Sequence, residues 1–509
     1  MASDIYIQYT PVRSKIITPL PVEAETALYE SLRYHPENYF YATRYQSNQW
    51  DGYTECYSKV THSFRSGLIQ RVVRLLQDLG YIVTVSNQPS LLSIKSVDTI
   101  PYLRTWQRDA IRKVLEYGRC GIWAPPRSGK TVFACGLVDV LQLYPVVYFC
   151  ERLEIAQQVP EKFLLFTPNI SVGVVGNGEV TIGEVTVMTV QSAMAAYGNH
   201  HKRSKDEEEE KEPRDKKAVR DLIESARVVI YDEYHHVAHA SGQFIMGKIR
   251  QASCIVGLSA TPWRDDNANL LLERAVGPVG YQVTYSHLID CGLLVRPHIY
   301  MYKLPKASGD GGKAYQTLYK EYIVENAFRN LVIARVTVEF QRLRWPNIVL
   351  VDFIKHGNIL HDIIPNSLIV TGQDRMSWRK QVMELVNDGC TDTIITTLWG
   401  EGVDVPPLRA VVLAGGGESS IETFQHLRSI TPYDGKDCGV VVDFFDDARY
   451  LRRHSKARKR FYLSEKEFRV FDVNVTGLSQ DDIQGGIDGT DSSNENVIGE
   501  VLAIGEDVG

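Results

Sequence analysis

Short apolar runs recur along the first half of the chain, and stretches with helical spacing of apolar residues separate them. Each run ends in small, polar or acidic residues. Buried parallel strands have this nearly continuous apolar pattern, and ligands bind beyond the carboxyl ends of such strands. The pattern predicts one α/β unit over residues 98–290, with these strands: CGIWAP, VVYFC, VTVMTV, ARVVIYDE and CIVGLSAT.

The same style repeats in the second half, which predicts a second α/β unit over residues 291–476. The stretch HLIDCGLLVRPHIY is interpreted as the connection between the two units. The fold class is therefore predicted to be α/β, with two tandem lobes of parallel sheet flanked by helices. The predicted strands of the second unit are NIVLVDF, SLIVTG, TIITT, RAVVLAG and GVVVDFF.

Residues 1–97 are predicted to form a small mixed α/β domain. SGLIQRVVRLLQDLGY has helical apolar spacing and ends at a glycine, and YIVTVS then has the pattern of a strand. Residues 201–217 carry seven basic and seven acidic residues and are predicted to be a solvated loop or irregular helix in the first lobe. Residues 477–509, rich in Gly, Asp, Ser and Asn, are predicted to be a flexible acidic tail.

The charge of the whole chain depends on that tail. The net charge is −6, and the tail holds eight acidic residues with no Lys or Arg, so the remainder is +2. A nucleic-acid binder need not be basic overall if its basic groups share one face. No apolar run approaches the roughly 18 residues of a membrane span, and the N-terminus lacks a secretory apolar region. Eight cysteines without zinc spacing indicate a reducing compartment, so a cytoplasmic location and no membrane partner are expected.

The stretch APPRSGKT, residues 124–131, has the spacing of a phosphate loop between a strand and a helix. Backbone N–H groups and the helix N-terminus stabilise phosphate charge there. Lys130 would contact the β- and γ-phosphates, and Thr131 would ligate Mg²⁺. Ala124 replaces the first glycine of the pattern, so a chance Gly-Lys-Thr stays as the alternative. The other predicted nucleotide-contacting residues of the loop are Pro126, Arg127, Ser128 and Gly129.

Two carboxylates end the strand ARVVIYDE about 100 residues later. Asp232 is predicted to hold Mg²⁺, and Glu233 is predicted to orient or deprotonate the attacking water. The alternative is an acidic pair that faces solvent at a strand end. His235 and His236 lack a partner pair at zinc spacing.

Asp232-Glu233-Tyr234-His235 followed by Ser259-Ala260-Thr261 resembles the DExH box and SAT motif of superfamily 2 helicases. Seven motifs occur in the family's order over residues 100–450. The resemblance implies two RecA-like lobes, ATP and Mg²⁺ as cofactors, a catalytic role for His235, and coupling through Ser259 and Thr261. It also implies an adenine-side motif at Arg104 and Gln107. Motif Ia, at Arg152, and motif Ib, at Thr189, Gln191 and Ser192, would line the nucleic-acid track. Motif V would comprise Thr396, Gly402 and Asp404.

The N-terminal unit carries a finer resemblance. ATRYQSNQWDGYTECY before SGLIQRVVRLLQDLGY resembles the DNA-binding module of UvsW-type phage recombination helicases. Arg44 and Trp50 are then candidates for DNA contact, whereas the bland alternative makes Trp50 a core aromatic beside a hairpin turn at Asp51-Gly52.

These resemblances imply a DNA helicase or translocase that acts on forks, junctions or R-loops, with 3′-to-5′ movement. DNA, or an RNA–DNA hybrid, is the expected partner, together with replication or recombination proteins bound through the tail. A phage protein of this kind would work in the host cytoplasm. Two rivals stay open: a double-strand translocase subunit of a restriction-type system, and a nucleic-acid-binding protein with a degenerate ATPase.

QHLRSITPY, residues 425–433, occupies the place of motif VI but departs from the family's Gln-x-x-Gly-Arg-x-x-Arg pattern. Without a gap, both arginine positions are lost. With one residue deleted, Arg428 becomes the first arginine finger, three residues after Gln425. The second arginine is missing in either alignment. We prefer the alignment with the deletion, because an arginine finger is hard to do without and Arg428 shares a face with Gln425 if the segment is helical.

Further basic residues are candidates for the nucleic-acid track. Arg264 follows the SAT motif, and ARYLRRHSKARKRFY has a helical pattern with aromatic residues between its basic ones. The alternative for this second stretch is a solvated helix face. Its candidates are Arg452, Arg453, Lys456, Arg458, Lys459 and Arg460.

Overall fold

The computed structural model divides into two compact units, residues 1–283 and residues 284–509. In the described part of the chain, every helix is too short or too polar to cross a membrane. The described residues are 4–36, 39–126, 128–151, 153–198, 214–260, 268–306, 308–309, 311–389, 391–398, 408–417, 436 and 438–475.

The N-terminal part of the first unit is a five-stranded sheet in the order β5-β6-β2-β1-β7, packed on helices. Buried and exposed residues alternate along β1, as expected for a sheet with one covered face. The predicted helix α3 buries Ile69, Val72 and Leu76 against this sheet. The elements are β1 Asp4–Gln8, β2 Arg13–Ile16, α1 Val22–Ser31, β3 Arg33–Tyr34, α2 Thr43–Gln46, β4 Thr54–Glu55, β5 Tyr57–Ser58, β6 Ser63–Arg65, α3 Ile69–Asp78 and β7 Ile82–Ser86.

The rest of the first unit is an eight-stranded sheet in the order β11-β10-β12-β9-β13-β14-β8-β15. Its pairs are parallel except for β10 with β11, and the strands predicted from CGIWAP to CIVGLSAT occupy its centre. The elements are α4 Thr105–Tyr117, β8 Arg119–Trp123, α5 Lys130–Leu141, β9 Val146–Cys150, α6 Leu153–Phe166, β10 Val172–Gly176, β11 Glu179–Val180, β12 Val185–Thr189, α7 Val190–Tyr197, α8 Arg214–Ser225, β13 Val228–Asp232, α9 Ala240–Met246, β14 Cys254–Ser259, α10 Asn269–Val276 and β15 Val279–Gln282.

The last residues of the charged segment 201–217 begin α8, so this end of the segment is helical, and residues 201–213 lie outside the described residues. The predicted tail, residues 477–509, also lies outside them.

The two sheets of the first unit are joined through helix α10. Arg119, at the start of β8, is buried and donates to the carbonyl oxygens of Ala275, Val276 and Pro11. Its guanidinium therefore connects the last turn of α10 to the loop after β1. Arg71 of α3 adds an ion pair to Glu273 on the same helix, with Nη2–Oε2 at 2.5 Å.

The second unit contains a seven-stranded sheet in the order β18-β19-β17-β20-β21-β16-β22, and all its pairs in the described residues are parallel. All five predicted strands are present. The elements are α11 Tyr285–Asp290, β16 Arg296–Lys303, α12 Tyr315–Tyr319, a π-helical turn Lys320–Val324, α13 Ala327–Arg342, β17 Asn347–Leu350, α14 Ile354–Ile363, β18 Ser367–Val370, α15 Met376–Asn387, β19 Thr393–Thr396, β20 Ala410–Leu413, β21 Cys438–Phe445, α16 Arg449–Ser464 and β22 Arg469–Asn474.

The stretch HLIDCGLLVRPHIY is more than a connection, which corrects that interpretation. Its last residues begin β16, which lies between β21 and β22 inside the second sheet. Pro297 is accommodated within this strand, although a proline cannot donate a hydrogen bond to a sheet ladder. Its presence concealed the strand in the sequence.

A substitution at Gly67 can test how tightly α10 packs against the N-terminal sheet region. A Cβ at this position would lie 2.1 Å from Glu273 O and 2.6 Å from Arg274 O, and both atoms belong to backbone. We expect Gly67→Ala to lower the free energy of unfolding by about 1–3 kcal/mol through overpacking, measured by urea denaturation. Gly311→Ala is the control, because a Cβ there meets nothing within 4 Å. Equal midpoints for the two variants would contradict the tight contact.

Candidate active site

The described residues between β8 and α5 are fixed at both ends of this segment. Ala124 N donates to Ser259 O at 3.0 Å, which ties the start of the loop to the end of β14. Gly129 adopts a left-handed φ of 97° immediately before the first residue of α5, Lys130. A Cβ on Gly129 would lie 2.9 Å from Gln107 Nε2, so both conformation and space require glycine there.

Arg104 and Gln107 lie against this loop. Gln107 is buried; its Oε1 accepts from Arg104 N at 2.8 Å, and its Nε2 donates to Gly129 O at 3.0 Å. Arg104 Nη1 donates to Ser128 O at 3.0 Å. The first turn of α4 thus holds the loop backbone from one side.

The loop fits a phosphate group in two respects. Ser128 Oγ is buried and has no hydrogen-bond partner among the described residues. The N–H groups of the first turn of α5, which includes Lys130 and Thr131, have no partner within the helix. An anion with several acceptor oxygens satisfies such donors.

Lys130, Glu233, Ser259 and His235 form one hydrogen-bonded network. Lys130 Nζ is 2.8 Å from Glu233 Oε1, and Ser259 Oγ donates to Glu233 Oε2 at 3.3 Å. His235 Nδ1 lies 2.9 Å from Ser259 Oγ and 3.4 Å from Glu233 Oε2. The lysine of the loop, the DExH box and the first residue of the SAT motif therefore meet at one carboxylate.

Asp232 is held beside this network by its own partners. Tyr148 OH donates to Asp232 Oδ2 at 2.8 Å, and Glu233 N donates to Asp232 Oδ1 at 3.0 Å. Glu233 adopts a left-handed φ of 46°, which is uncommon for a residue with a side chain and is concentrated at functional sites. This turn directs two consecutive carboxylates to neighbouring positions.

The two carboxylates differ in their electrostatics. Burial raises the pKa of Asp232 to about 6, and the charge of Glu233 adds to the rise. Burial opposes ionisation of Glu233 as well, but the Lys130 cation and the contact with His235 outweigh it and keep the pKa of Glu233 below its ordinary value. Glu233 is therefore a paired anion in this state of the molecule.

The third residue of the DExH box packs inside the sheet. Tyr234 is buried, and a Cβ on Gly121 would lie 2.2 Å from its hydroxyl oxygen, whereas a Cβ on Gly257 would lie 2.5 Å from its ring carbon Cγ. The two glycines belong to the paired strands β8 and β14. Because they have no side chain, they leave room for Tyr234, and the buried Tyr234 anchors the turn after Asp232.

The predicted nucleic-acid contacts of the first unit lie in different environments. Thr189 is buried and caps α7, since its Oγ1 accepts from Ser192 N at 3.2 Å and donates to Ser192 Oγ at 2.8 Å. Gln191 and Arg44 are exposed. Trp50 is half-buried, and its Nε1 donates to Tyr53 O at 2.7 Å. Their role in DNA contact stays a prediction.

In the second unit, buried basic side chains hold the segment that precedes motif VI. Arg329 donates to the carbonyl oxygens of Ala414 and Gly415 and pairs with Asp446 at 2.9 Å. Arg458 donates to Gly417 O at 2.6 Å. This segment therefore enters the motif VI region in a fixed backbone conformation.

Thr396, the predicted motif V threonine, ends β19 and is buried. Its Oγ1 accepts from Leu398 N at 2.9 Å. The remaining predicted site residues lie outside the described residues: Arg127, Arg152, Thr261, Arg264, Gly402, Asp404, Gln425 and Arg428.

Two residues that hold neighbouring parts of the site in place, Tyr148 and Arg329, were not predicted from the sequence. Tyr148 lies in the apolar strand β9, where its hydroxyl is the one polar side-chain group in VVYFC apart from the cysteine thiol. Arg329 lies in the long helix α13 with no motif around it. A charged or hydroxyl group inside an otherwise apolar run was the available signal, because such a group needs a buried partner.

Comparisons with known proteins agree with the motifs. Residues 101–264 match the family described as Type III restriction enzyme, res subunit. The chain is similar to the DNA 3'-5' translocase XPB2 of Sulfurisphaera tokodaii, with 23% identity over 417 residues, which cover 70% of this chain and 87% of that protein. The family match and this relative confirm the predicted resemblance to superfamily 2 helicases.

The chain was also compared with solved structures. A fragment described as an HsdR subunit of a type I restriction enzyme from Vibrio vulnificus has a TM-score of 0.54 and 18% identity, and the match covers 76% of this chain and 72% of that one. The crystal structure of T4 UvsW has a TM-score of 0.45 and 19% identity, and the match covers 93% of this chain and 100% of that one. The first likeness confirms the predicted α/β fold with RecA-like lobes.

Tyr148→Phe tests the support of Asp232. We expect the Mg²⁺ concentration for half-maximal nucleotide hydrolysis to rise about tenfold, because a partner that orients a metal-binding carboxylate typically contributes 10- to 100-fold in metal affinity. Phosphate release is measured across a Mg²⁺ titration.

Tyr231→Phe is the matched control for this experiment. Tyr231 lies in β13, next to the strand β9 that holds Tyr148, and its OH donates to Glu151 Oε1 at 2.9 Å. The variant therefore removes a tyrosine hydroxyl that makes no hydrogen bond to Asp232. The same Mg²⁺ dependence in Tyr148→Phe and wild type would contradict the supporting role.

Proposed function

We propose that this chain, a superfamily 2 helicase, hydrolyses ATP to move 3′-to-5′ along DNA and to unwind or remodel forks, junctions and R-loops. The single observation that carries the ATPase is the network of Lys130, Glu233, Ser259 and His235 beside Asp232. The DNA substrate and its polarity are proposed by analogy with the relative whose name includes DNA 3'-5' translocase.

The loop and the first turn of α5 would hold the ATP phosphates through backbone N–H groups, Ser128 Oγ and Lys130. Thr131 and Asp232 would ligate Mg²⁺, which neutralises phosphate charge when bound. Two oxygen ligands suit this ion, because Mg²⁺ commonly keeps waters and phosphate oxygens as its other ligands. Arg104 and Gln107, already bonded to the loop, would lie on the adenine side.

Lys130 links nucleotide binding to the basicity of Glu233. In the present state Lys130 neutralises Glu233, and a carboxylate with a lowered pKa is a poor base. When Lys130 turns to the phosphates, Glu233 loses its main stabilising charge and its pKa rises. Glu233 would then orient and deprotonate the attacking water, while Ser259 and His235 keep its carboxylate in place.

A second candidate is a double-stranded DNA translocase of a restriction-type system. The match of residues 101–264 to the res subunit family favours this alternative. A nucleic-acid-binding protein with a degenerate ATPase is less well supported, since Lys130, Asp232, Glu233 and Ser259 keep hydrogen-bonding geometry suited to hydrolysis.

Several finer assignments are part of the proposal. DNA contact would involve Arg44 and Trp50 of the N-terminal sheet region, together with motif residues Thr189, Gln191 and Thr396 and, beyond the described residues, Arg152 and Arg264. RNA–DNA hybrids are a further proposed substrate. Replication or recombination proteins are proposed to bind the acidic tail, and the proposed site of action is the cytoplasm.

Lys130→Ala tests the ATPase. Wild-type phosphate release should rise when DNA is added, and the variant should stay at background with or without DNA, because it lacks the cation that contacts the phosphates. Steady-state phosphate release is the measurement. If DNA does not raise the wild-type rate above that of Lys130→Ala, the ATPase proposal is wrong.

The same wild-type protein separates the two motor functions. A helicase should separate a matched fork, R-loop or junction, whereas a pure double-strand translocase should displace only the third strand of a triplex.

Arg428→Ala tests the proposed arginine finger, which lies outside the described residues. An arginine finger contributes about 10³- to 10⁵-fold in rate, so hydrolysis should be abolished while DNA binding is retained. Single-turnover hydrolysis and DNA-binding titration measure the two properties. Near-normal turnover would show that another residue supplies the charge.

A further inference from the structure

Helix α16 carries four exposed basic residues on one face: Arg449, Arg453, Lys456 and Arg460. Their spacing of four, three and four residues places them within an arc of about 60° at 3.6 residues per turn. They extend over about 16 Å of helix axis at 1.5 Å per residue. We name these four residues the basic stripe.

Three further basic residues of the helix, Arg452, Arg458 and Lys459, pair with carboxylates. Asp443 binds Arg458 through two hydrogen bonds of 2.9 Å, and Arg458 is buried. These pairs remove three cations, and three neighbouring anions, from the set available to a ligand. The three pairs are Arg458 with Asp443, Arg452 with Asp447, and Lys459 with Asp472.

Lys456 and Arg460 differ from these three residues. In the described part of the second unit, no carboxylate lies within ion-pair distance of either side chain, and both residues are exposed. Long basic side chains that are not needed for packing or pairing keep their full attraction for an external anion.

The start of the basic stripe adjoins two half-exposed aromatic rings. Arg449 lies over the ring of Tyr450 at 4.8 Å, and Tyr450 contacts Tyr315 edge to face with ring centroids 6.4 Å apart. Each tyrosine is 38% exposed. Flat aromatic faces beside a line of cations are the combination with which proteins bind the backbone and bases of nucleic acid.

We propose that the basic stripe of α16, whose four residues belong to none of the helicase motifs, is a binding surface for the phosphate backbone of DNA. Its length of about 16 Å matches four to five phosphates of one strand, which follow each other every 3.4 Å along the duplex axis. This inference rests on the proposed function in taking DNA as the partner.

The test compares two double variants of the full chain that remove the same charge from the same helix. K456A/R460A removes two cations of the basic stripe, and R452A/K459A removes two cations that pair with Asp447 and Asp472. Binding of a fluorescein-labelled forked DNA is measured by anisotropy across a salt series. Thermal unfolding midpoints check that both variants are folded.

Each phosphate contact contributes about 0.9 to the slope of log affinity against log salt for duplex DNA. K456A/R460A should therefore lower the magnitude of this slope by about 2 and weaken binding at low salt. Between about 50 and 200 mM salt, it should lose about tenfold less affinity than wild type. R452A/K459A should keep the wild-type slope, because its two cations already pair with carboxylates. Both variants remove two positive charges, so a long-range charge effect would lower both slopes equally.

Two results would overturn the proposal. Equal slopes for K456A/R460A and wild type would show that the basic stripe makes no phosphate contact. Equal losses in both variants would show a general charge effect. Both results leave DNA-stimulated hydrolysis by wild type intact, whereas failure of the proposed function would appear as wild-type protein that neither binds the fork nor responds to it.

Discussion

The ion pair between Lys130 and Glu233 is the interaction on which the active site depends. The two side chains are 13% and 21% exposed, so each charge is largely removed from water and must be compensated. Removing one partner of such a pair typically costs about 3–5 kcal/mol, because the other charge stays buried alone. The pair is therefore a stable resting state, and a ligand that takes Lys130 must replace its anion with another. The phosphates of a nucleotide meet this condition, whereas a neutral ligand does not.

Sheet order explains how residues more than 100 positions apart reach this pair. β13, β14 and β8 are neighbours and parallel, so their carboxyl ends lie at one edge. The phosphate loop follows β8, the carboxylates end β13, and Ser259 ends β14. The hydrogen bond from Ala124 N to Ser259 O then sets the height of the loop relative to the carboxylates. Ala124, which departs from the glycine of the usual pattern, is buried and makes this contact through its backbone, so the substitution leaves the loop intact.

The sequence predicts the parts of this fold that consist of long apolar runs or ordered motifs. The central strands are recognisable because burial on both faces requires continuous apolar residues. β16 was not predicted because Pro297 and His298 interrupt its apolar pattern. It is a strand because it pairs with β21 and β22, and the local sequence does not show those partners. Tyr148 was missed because a tyrosine is common in strands for packing alone. Arg329 pairs with Asp446, which is 117 residues away in the sequence, and no local pattern specifies a partner at that separation.

Helix α16 shows why a cluster of basic residues is ambiguous in sequence and clear in structure. Its inner face places Arg458 against Asp443, which also accepts from Tyr462 OH at 2.8 Å, and a buried arginine is tolerated only with such partners. Arg458 also donates a hydrogen bond to Gly417 O, just before the motif VI region. On its outer face, Lys456 and Arg460 are exposed, and no carboxylate lies within ion-pair distance of either in the described part of the second unit. The helical period therefore separates cations that pair inside the protein, such as Arg458, from exposed cations such as Lys456 and Arg460. The carboxylates of the pairs decide this division, and they lie within β21 and β22 or just after β21.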